Sequence, residues 1–100
     1  MDFKDKVVIV TGASQGLGAE IARQFAGKGA NVVLVARTYS KVKQIADEII
    51  ASGGKALACG GDISKEEDVK AFVKQTIDTF GTVDVLVNNA AAHKAIPVKD

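Results

Sequence analysis

Four short apolar runs punctuate the chain, and between them the hydrophobic positions recur every three to four residues. The runs are Val7-Val-Ile-Val10, Val32-Val-Leu-Val-Ala36, Ala56-Leu-Ala-Cys59 and Val83-Asp-Val-Leu-Val87. They are apolar on both faces rather than alternating, the pattern of strands in a parallel sheet covered by helices. The intervening stretches predict those helices. Leu17, Ile21 and Phe25, with Ala22 and Ala26 beside them, form one stripe, and Val42, Ile45, Ala46 and Ile49 form a second. Val69, Phe72, Val73, Thr76, Ile77 and Phe80 form the third. Ser64-x-x-Glu67 has the form of a capping box, and Gly29, Gly53-Gly54 and Gly81 stand where the helices are expected to stop. Strand and helix therefore alternate from one end to the other. That order predicts an α/β fold, a doubly wound parallel sheet of four strands with three helices. Right-handed crossovers place the first two helices on one face and the third alone on the other. No repeat, linker or low-complexity stretch interrupts the pattern, and only residues 91–100, with Pro97, lack a clear period.

Composition narrows the classes of function. With 100 residues the chain is long enough for one domain and too short for two. Lys and Arg number 13 against 12 Asp and Glu, so no basic excess points to nucleic acid or to a membrane surface. No apolar run approaches the roughly 18 residues of a membrane helix. Met1-Asp-Phe-Lys-Asp-Lys6 mixes both signs before only four apolar residues, unlike a signal peptide. A single cysteine, Cys59, excludes an internal disulfide and has no companions at metal-ligand spacing. A reducing, cytoplasmic compartment fits, and no metal site is expected.

One motif carries specific chemistry. The first strand runs into Thr11-Gly-Ala-Ser-Gln-Gly-Leu-Gly18, which opens directly into the first helix. Gly12 permits a tight turn, Gly16 lets the backbone approach a pyrophosphate, and Gly18 lets the helix lie close to the sheet. The helix N-terminus then offers unpaired N–H groups and a positive dipole end to phosphates. The spacing is G-x-x-x-G-x-G rather than G-x-G-x-x-G. Three glycines in seven residues also make a structural turn, but the strand before and the helix after favour a dinucleotide site.

Thr11-Gly-x-x-x-Gly-x-Gly18, then Asp62-Ile63 after the third strand, then Asp84-Val-Leu-Val-Asn-Asn-Ala90 through the fourth, resembles the short-chain dehydrogenase/reductase family. The resemblance covers essentially all 100 residues, though only the N-terminal, smaller part of a typical member. It implies a Rossmann-type sheet in strand order 3-2-1-4, here truncated before a fifth strand, with residues 1–100 as an NAD(P)-binding domain. The implied cofactor is a nicotinamide dinucleotide lying across the C-terminal strand edges. The rule that ligands bind at the topological switch point, between strands one and four, agrees independently. Gly12, Gly16, Leu17 and Gly18 would then cradle the diphosphate.

The end of the second strand decides between nucleotides. A carboxylate there would hydrogen-bond a ribose 2′-OH and select NAD. The chain reads Val35-Ala-Arg-Thr38 instead, and the planar fork of Arg37 suits a 2′-phosphate. An arginine solvated at a strand end is the other reading. By resemblance, Ser14 is a second phosphate donor, whereas Gln15 replaces a basic residue that some NADP-dependent members carry. NADP is accordingly expected over NAD. The resemblance also implies that Asp62 accepts from the adenine amino group with Ile63 beside the ring, although Asp62 equally suits a cap on the turn before the third helix. Asn89 and Ala90 would line a cofactor ribose, and Asn88 would tie the fourth strand to its neighbours. Ala91 stands where the family usually has Gly.

Family chemistry is hydride transfer to or from a carbonyl or alcohol carbon, helped by a Ser and by Tyr and Lys spaced Y-x-x-x-K after a fifth strand. Tyr39-Ser-Lys-Val-Lys43 has that spacing, but it follows the second strand, at the adenosine end and far from the hydride carbon. No residue is therefore assigned to catalysis, and His93 lies in the loop after the fourth strand as an unassigned histidine. The expected reading is the NADP-binding half of an oxidoreductase, inactive alone, with a non-catalytic dinucleotide-binding module as the alternative. Arg37 and the Asn88-Asn89-Ala90 segment disfavour a methyltransferase binding an adenosyl cofactor. With only one helix on its face, the fourth strand presents an apolar edge. The chain is thus expected to self-associate or to continue into further protein.

Overall fold

A computed structural model describes residues 3–89. Its elements follow in the order β1 (Val7–Thr11), α1 (Gly16–Gly27), β2 (Asn31–Ala36), α2 (Tyr39–Ala51), β3 (Lys55–Gly60), α3 (Glu66–Phe80) and β4 (Val85–Asn88). All pairings are parallel and the sheet order is β3-β2-β1-β4. The β-branched runs sit where both faces are covered. Val8, Val10, Val32 and Leu34 face α1 and α2, while Val7, Ile9, Val33 and Val35 face α3. Each such side chain, fully withdrawn from water, contributes about 1.5–3 kcal/mol relative to an exposed one.

The two faces are closed unequally. On the first, Val42, Ile45, Ala46 and Ile49 of α2 and Ala19 and Ala22 of α1 are buried against the strands. On the second, α3 buries only Phe72 and Thr76, with Val69, Val73 and Phe80 half-covered. Leu86 of β4, in register with Ile9, stays 42% exposed. A groove of about 290 Å³ runs there between α3 and β4, lined by Ile9, Ile63, Val69, Val73, Val83 and Leu86 among others.

Four local expectations change. Leu17 is 65% exposed, because the buried face of α1 is made of Gly18, Ala19 and Ala22, small residues that let the helix approach the sheet. Ile77 likewise points outward at 45% exposure. Ser64 does not cap α3, which starts at Glu66 with Lys65 before it. The Ser64 hydroxyl donates instead to Asp62 Oδ1 at 2.7 Å, a local competitor that two-residue spacing makes easy to reach. The fourth strand also begins two residues later than its apolar run, since Asp84 is occupied with Val7. It donates its amide to the Val7 carbonyl at 2.9 Å and accepts the Val7 N–H on Oδ2 at 2.8 Å. Gly29, Gly53 and Gly81, all at positive φ, follow the three helices as expected.

Candidate functional site

β1 lies between β2 and β4, so the crevice beyond its C-terminal end is the topological switch point of the sheet. The chain leaves β1 there as the glycine loop, which is braced from three sides. Ala13, fully buried, donates its N–H to the Val35 carbonyl of β2 at 3.2 Å. Asn89 Nδ2 donates to the Gly12 carbonyl at 3.3 Å from beyond β4. Below the loop, the buried Thr11 hydroxyl donates to Asn88 Oδ1 at 3.0 Å, the tie between β1 and β4 expected of Asn88. Gly18 packs beneath this frame. A Cβ there would stand 2.7 Å from Asn89 Nδ2 and would overlap the Gly12 carbonyl oxygen. Gly16 has φ +59° and faces open space.

The start of α1 is bare. Gln15 precedes it in extended conformation without a side-chain cap, and its first turn holds no acidic residue. α3 is the contrast, with Glu66, Glu67 and Asp68 in its first turn. Acids there complement the positive end of a helix dipole. Without a cap or an acid, the first-turn amides of α1 keep their hydrogen-bonding capacity for a ligand, beside Ser14, Gln15 and the exposed Leu17. A diphosphate fits this arrangement: free N–H donors, a positive dipole end, and no Cβ at Gly16 to obstruct approach.

The ends of β2 and β3 bring the other candidates together. The Gly61 amide donates to the Ala36 carbonyl at 3.0 Å, holding the two exits side by side. Across that bridge Arg37 Nε lies 3.7 Å from Asp62 Oδ2, with the guanidinium side chain 79% exposed. Asp62 accepts on Oδ1 from the Ser64 hydroxyl and, at 2.9 Å, from the Ser64 amide, so it does cap its own turn. Those two bonds, with the charges of Arg37 and Lys65 adding to them against partial desolvation, hold its carboxyl below the usual range. Asp68 Oδ2 in turn accepts the Asp62 amide at 2.9 Å. Ile63 packs toward the α3-side core. Ala90 lies outside the described residues, as do Ala91 and His93.

Other chemistry is disfavoured by position. Tyr39 begins α2 beside Gly60, and Lys43 is committed to Asp47 at 2.6 Å, a hydrogen bond that raises its pKa. Burial pushes the Cys59 thiol up to about 11, so it is neutral at neutral pH and a poor nucleophile. Among the described residues no three His, Cys, Asp or Glu side chains group to hold a metal, and no helix is long and apolar enough to cross a membrane. A larger cleft of about 520 Å³, lined by Arg23, Gly27, Glu48 and Ser52 among others, lies at the C-terminal ends of α1 and α2. Helix carbonyls gather there and Arg23 is paired with Glu20 and Glu48, so an anion is not favoured. Sequence reasoning quoted Thr11 and Asp84 within motifs but gave neither a role: Thr11 ties β1 to β4 beneath the loop, and Asp84 fixes the start of β4 on Val7 at the opposite end of the sheet. A polar residue at each end of apolar strands was the available signal.

Comparison with known proteins agrees with this geometry. The family model described as short chain dehydrogenase matches residues 6–100. An 11-beta-hydroxysteroid dehydrogenase of Pinus massoniana is 47% identical over 90 residues, covering 89% of this chain and 25% of that protein. The hydroxysteroid dehydrogenase of Escherichia coli superposes with a TM-score of 0.84 at 41% identity, over 86% of this chain and 36% of its own. A metagenomic short-chain oxidoreductase in complex with NADP superposes with a TM-score of 0.79 at 40% identity, over 86% of this chain and 39% of its own. The chain thus spans between a quarter and two-fifths of the length of these relatives.

Proposed function

The chain belongs to the short-chain dehydrogenase family, and on that footing we propose that its 100 residues form the NADP-binding part of a cytoplasmic oxidoreductase. The observation that carries this reading is the bare N-terminus of α1, cradled by Gly12, Gly16 and Gly18 at the switch point of the sheet. Its first-turn amides receive the diphosphate, with Ser14, Gln15 and Leu17 at the rim. Arg37 takes the 2′-phosphate, and no carboxylate follows β2 to repel it. Asp62 accepts from the adenine amino group through Oδ2, since Oδ1 is held by Ser64. Ile63 supports the ring, and Asn89 and Ala90 line the ribose nearer the nicotinamide. When bound, NADP(H) supplies a hydride donor or acceptor for a carbonyl or alcohol carbon. No residue of this chain is assigned the proton-handling roles of Ser, Tyr and Lys in such a reaction, so nucleotide binding without turnover is the activity proposed for these residues alone.

The NADP complex of the metagenomic relative supports the choice of nucleotide, as does Arg37. Calorimetric titration tests it. The chain is expected to bind NADP more tightly than NAD, and Arg37→Asp to lose about 1.5–3 kcal/mol of that preference, the worth of one charge-assisted contact. Equal affinity for the two nucleotides, or an unchanged preference in Arg37→Asp, contradicts the assignment. The groove between α3 and β4 is a second consequence. With Leu86 uncovered, the isolated chain associates with copies of itself through that face.

A further inference from the structure

In the free protein Arg37 and Asp62 are partners of one another. Their backbones are brought together by the Gly61 amide, which clamps the exits of β2 and β3 through the Ala36 carbonyl. The two side chains differ in freedom. Asp62 is the fixed member, with Oδ1 held twice by Ser64 and its amide held by Asp68. Arg37 is the movable one, 79% exposed and, among the described residues, anchored at its head by the 3.7 Å approach of Nε to Oδ2. A dianionic phosphate that recruits Arg37 therefore meets a guanidinium already facing a carboxylate, and it must also tolerate that carboxylate nearby.

We propose that Asp62 is a specificity-determining residue that restrains the preference for a 2′-phosphorylated nucleotide by competing with the phosphate for Arg37. The inference rests on the dinucleotide reading above. It assigns Asp62 a second role, distinct from accepting the adenine amino group, and makes it a positioning residue that acts through Arg37. Asp62 lowers the affinity the 2′-phosphate would otherwise gain, so the margin over the unphosphorylated nucleotide is narrowed. The pair is exposed and screened, so the restraint is modest and weakens with salt.

The test compares adenosine 2′,5′-bisphosphate with adenosine 5′-monophosphate by calorimetric titration of the whole chain. Both ligands carry the same adenine, so their affinity ratio reads the 2′-phosphate alone and cancels any loss at the adenine amino group. Asp62→Asn removes the charge and keeps an oxygen for Ser64. It is expected to raise the ratio by about two- to fivefold, the range an exposed pair of this kind is worth. Introduced into Arg37→Gln, the same change is expected to leave the ratio where Arg37→Gln alone sets it. An unchanged or lowered ratio in Asp62→Asn overturns the proposal. An equal rise in the Arg37→Gln background does so as well, since the effect would then be direct repulsion rather than competition. If the unaltered chain binds neither nucleotide, the dinucleotide reading fails and this inference falls with it. A clear preference for the bisphosphate that Asp62→Asn does not move sinks the inference alone.

Discussion

At Gly18 two effects of opposite sign meet, and their sizes decide the outcome of a substitution. Alanine is the better helix former by about 1 kcal/mol. Its Cβ would nevertheless overlap the Gly12 carbonyl, a backbone atom that Asn89 holds in place and that cannot step aside as a flexible side chain would. Overpacking of this kind costs about 1–3 kcal/mol. Gly18→Ala is therefore expected to lower stability in urea unfolding despite its higher helix propensity. Gly27→Ala, in open space at the other end of α1, is expected to raise it by about 0.4–1 kcal/mol. Equal, stabilising effects at both positions would show that nothing presses on Gly18. The mechanical need for these glycines was legible from their spacing after a strand. The pairing of Arg37 with Asp62 was not, because it depends on β2 and β3 ending in register, which no local pattern reports. Ser64 misled for a related reason. A hydroxyl that could reach forward to a helix amide reached back to a carboxylate two residues away.

Among the elements, α1 and α3 carry opposite chemistry at their N-termini; α2 starts as bare as α1, so the functional signal is that α1 opens directly from the glycine loop at the switch point. α3 is closed electrostatically by its own acids, whereas α1 is left open. Filling that opening should separate stability from binding. Leu17 is exposed in the first turn, so Leu17→Asp sacrifices little packing and places a carboxylate at the positive end of the dipole. The helix should gain about 0.3–1 kcal/mol. The diphosphate should be repelled from the same amides. An unchanged or raised Tm with NADP affinity weakened at least tenfold is the expected pair of results. Retained affinity in a folded Leu17→Asp protein would place the phosphates elsewhere. Element order and type were legible from periodicity throughout, and boundaries shifted by one or two residues where a side chain such as Asp84 took over a strand's hydrogen bond. The exposure of Leu17 was hidden because an apolar residue at helical spacing fits a buried stripe equally well. Only the close packing of Gly18, Ala19 and Ala22 reveals which face turns inward.

For the molecule as a whole, the sheet is sealed on the α1–α2 side and open beside α3. The handedness of the crossovers made that asymmetry readable before any contact was known, since two helices fall on one face and one on the other. What it could not give was the groove itself, whose walls come from residues as distant as Ile9, Val69 and Leu86. An apolar groove next to a strand that, among the described residues, lies at the edge of the sheet favours association. Sedimentation of the chain should show an average mass that rises with concentration, and Leu86→Lys should return it toward the monomer. A concentration-independent monomer for the unaltered chain would mean that the groove is tolerated in water.

The expectations for the cofactor converge on one physical act, the capture of a diphosphate by the first-turn amides of α1. Nitrogen–proton correlation spectra of the chain during titration with NADP observe those amides one by one. The account predicts saturable shifts that are largest from Gly12 to Ala19, with a second set at Arg37 and Asp62. Saturable shifts confined to any other region, or a loop whose amides stay unmoved at high NADP, would contradict it.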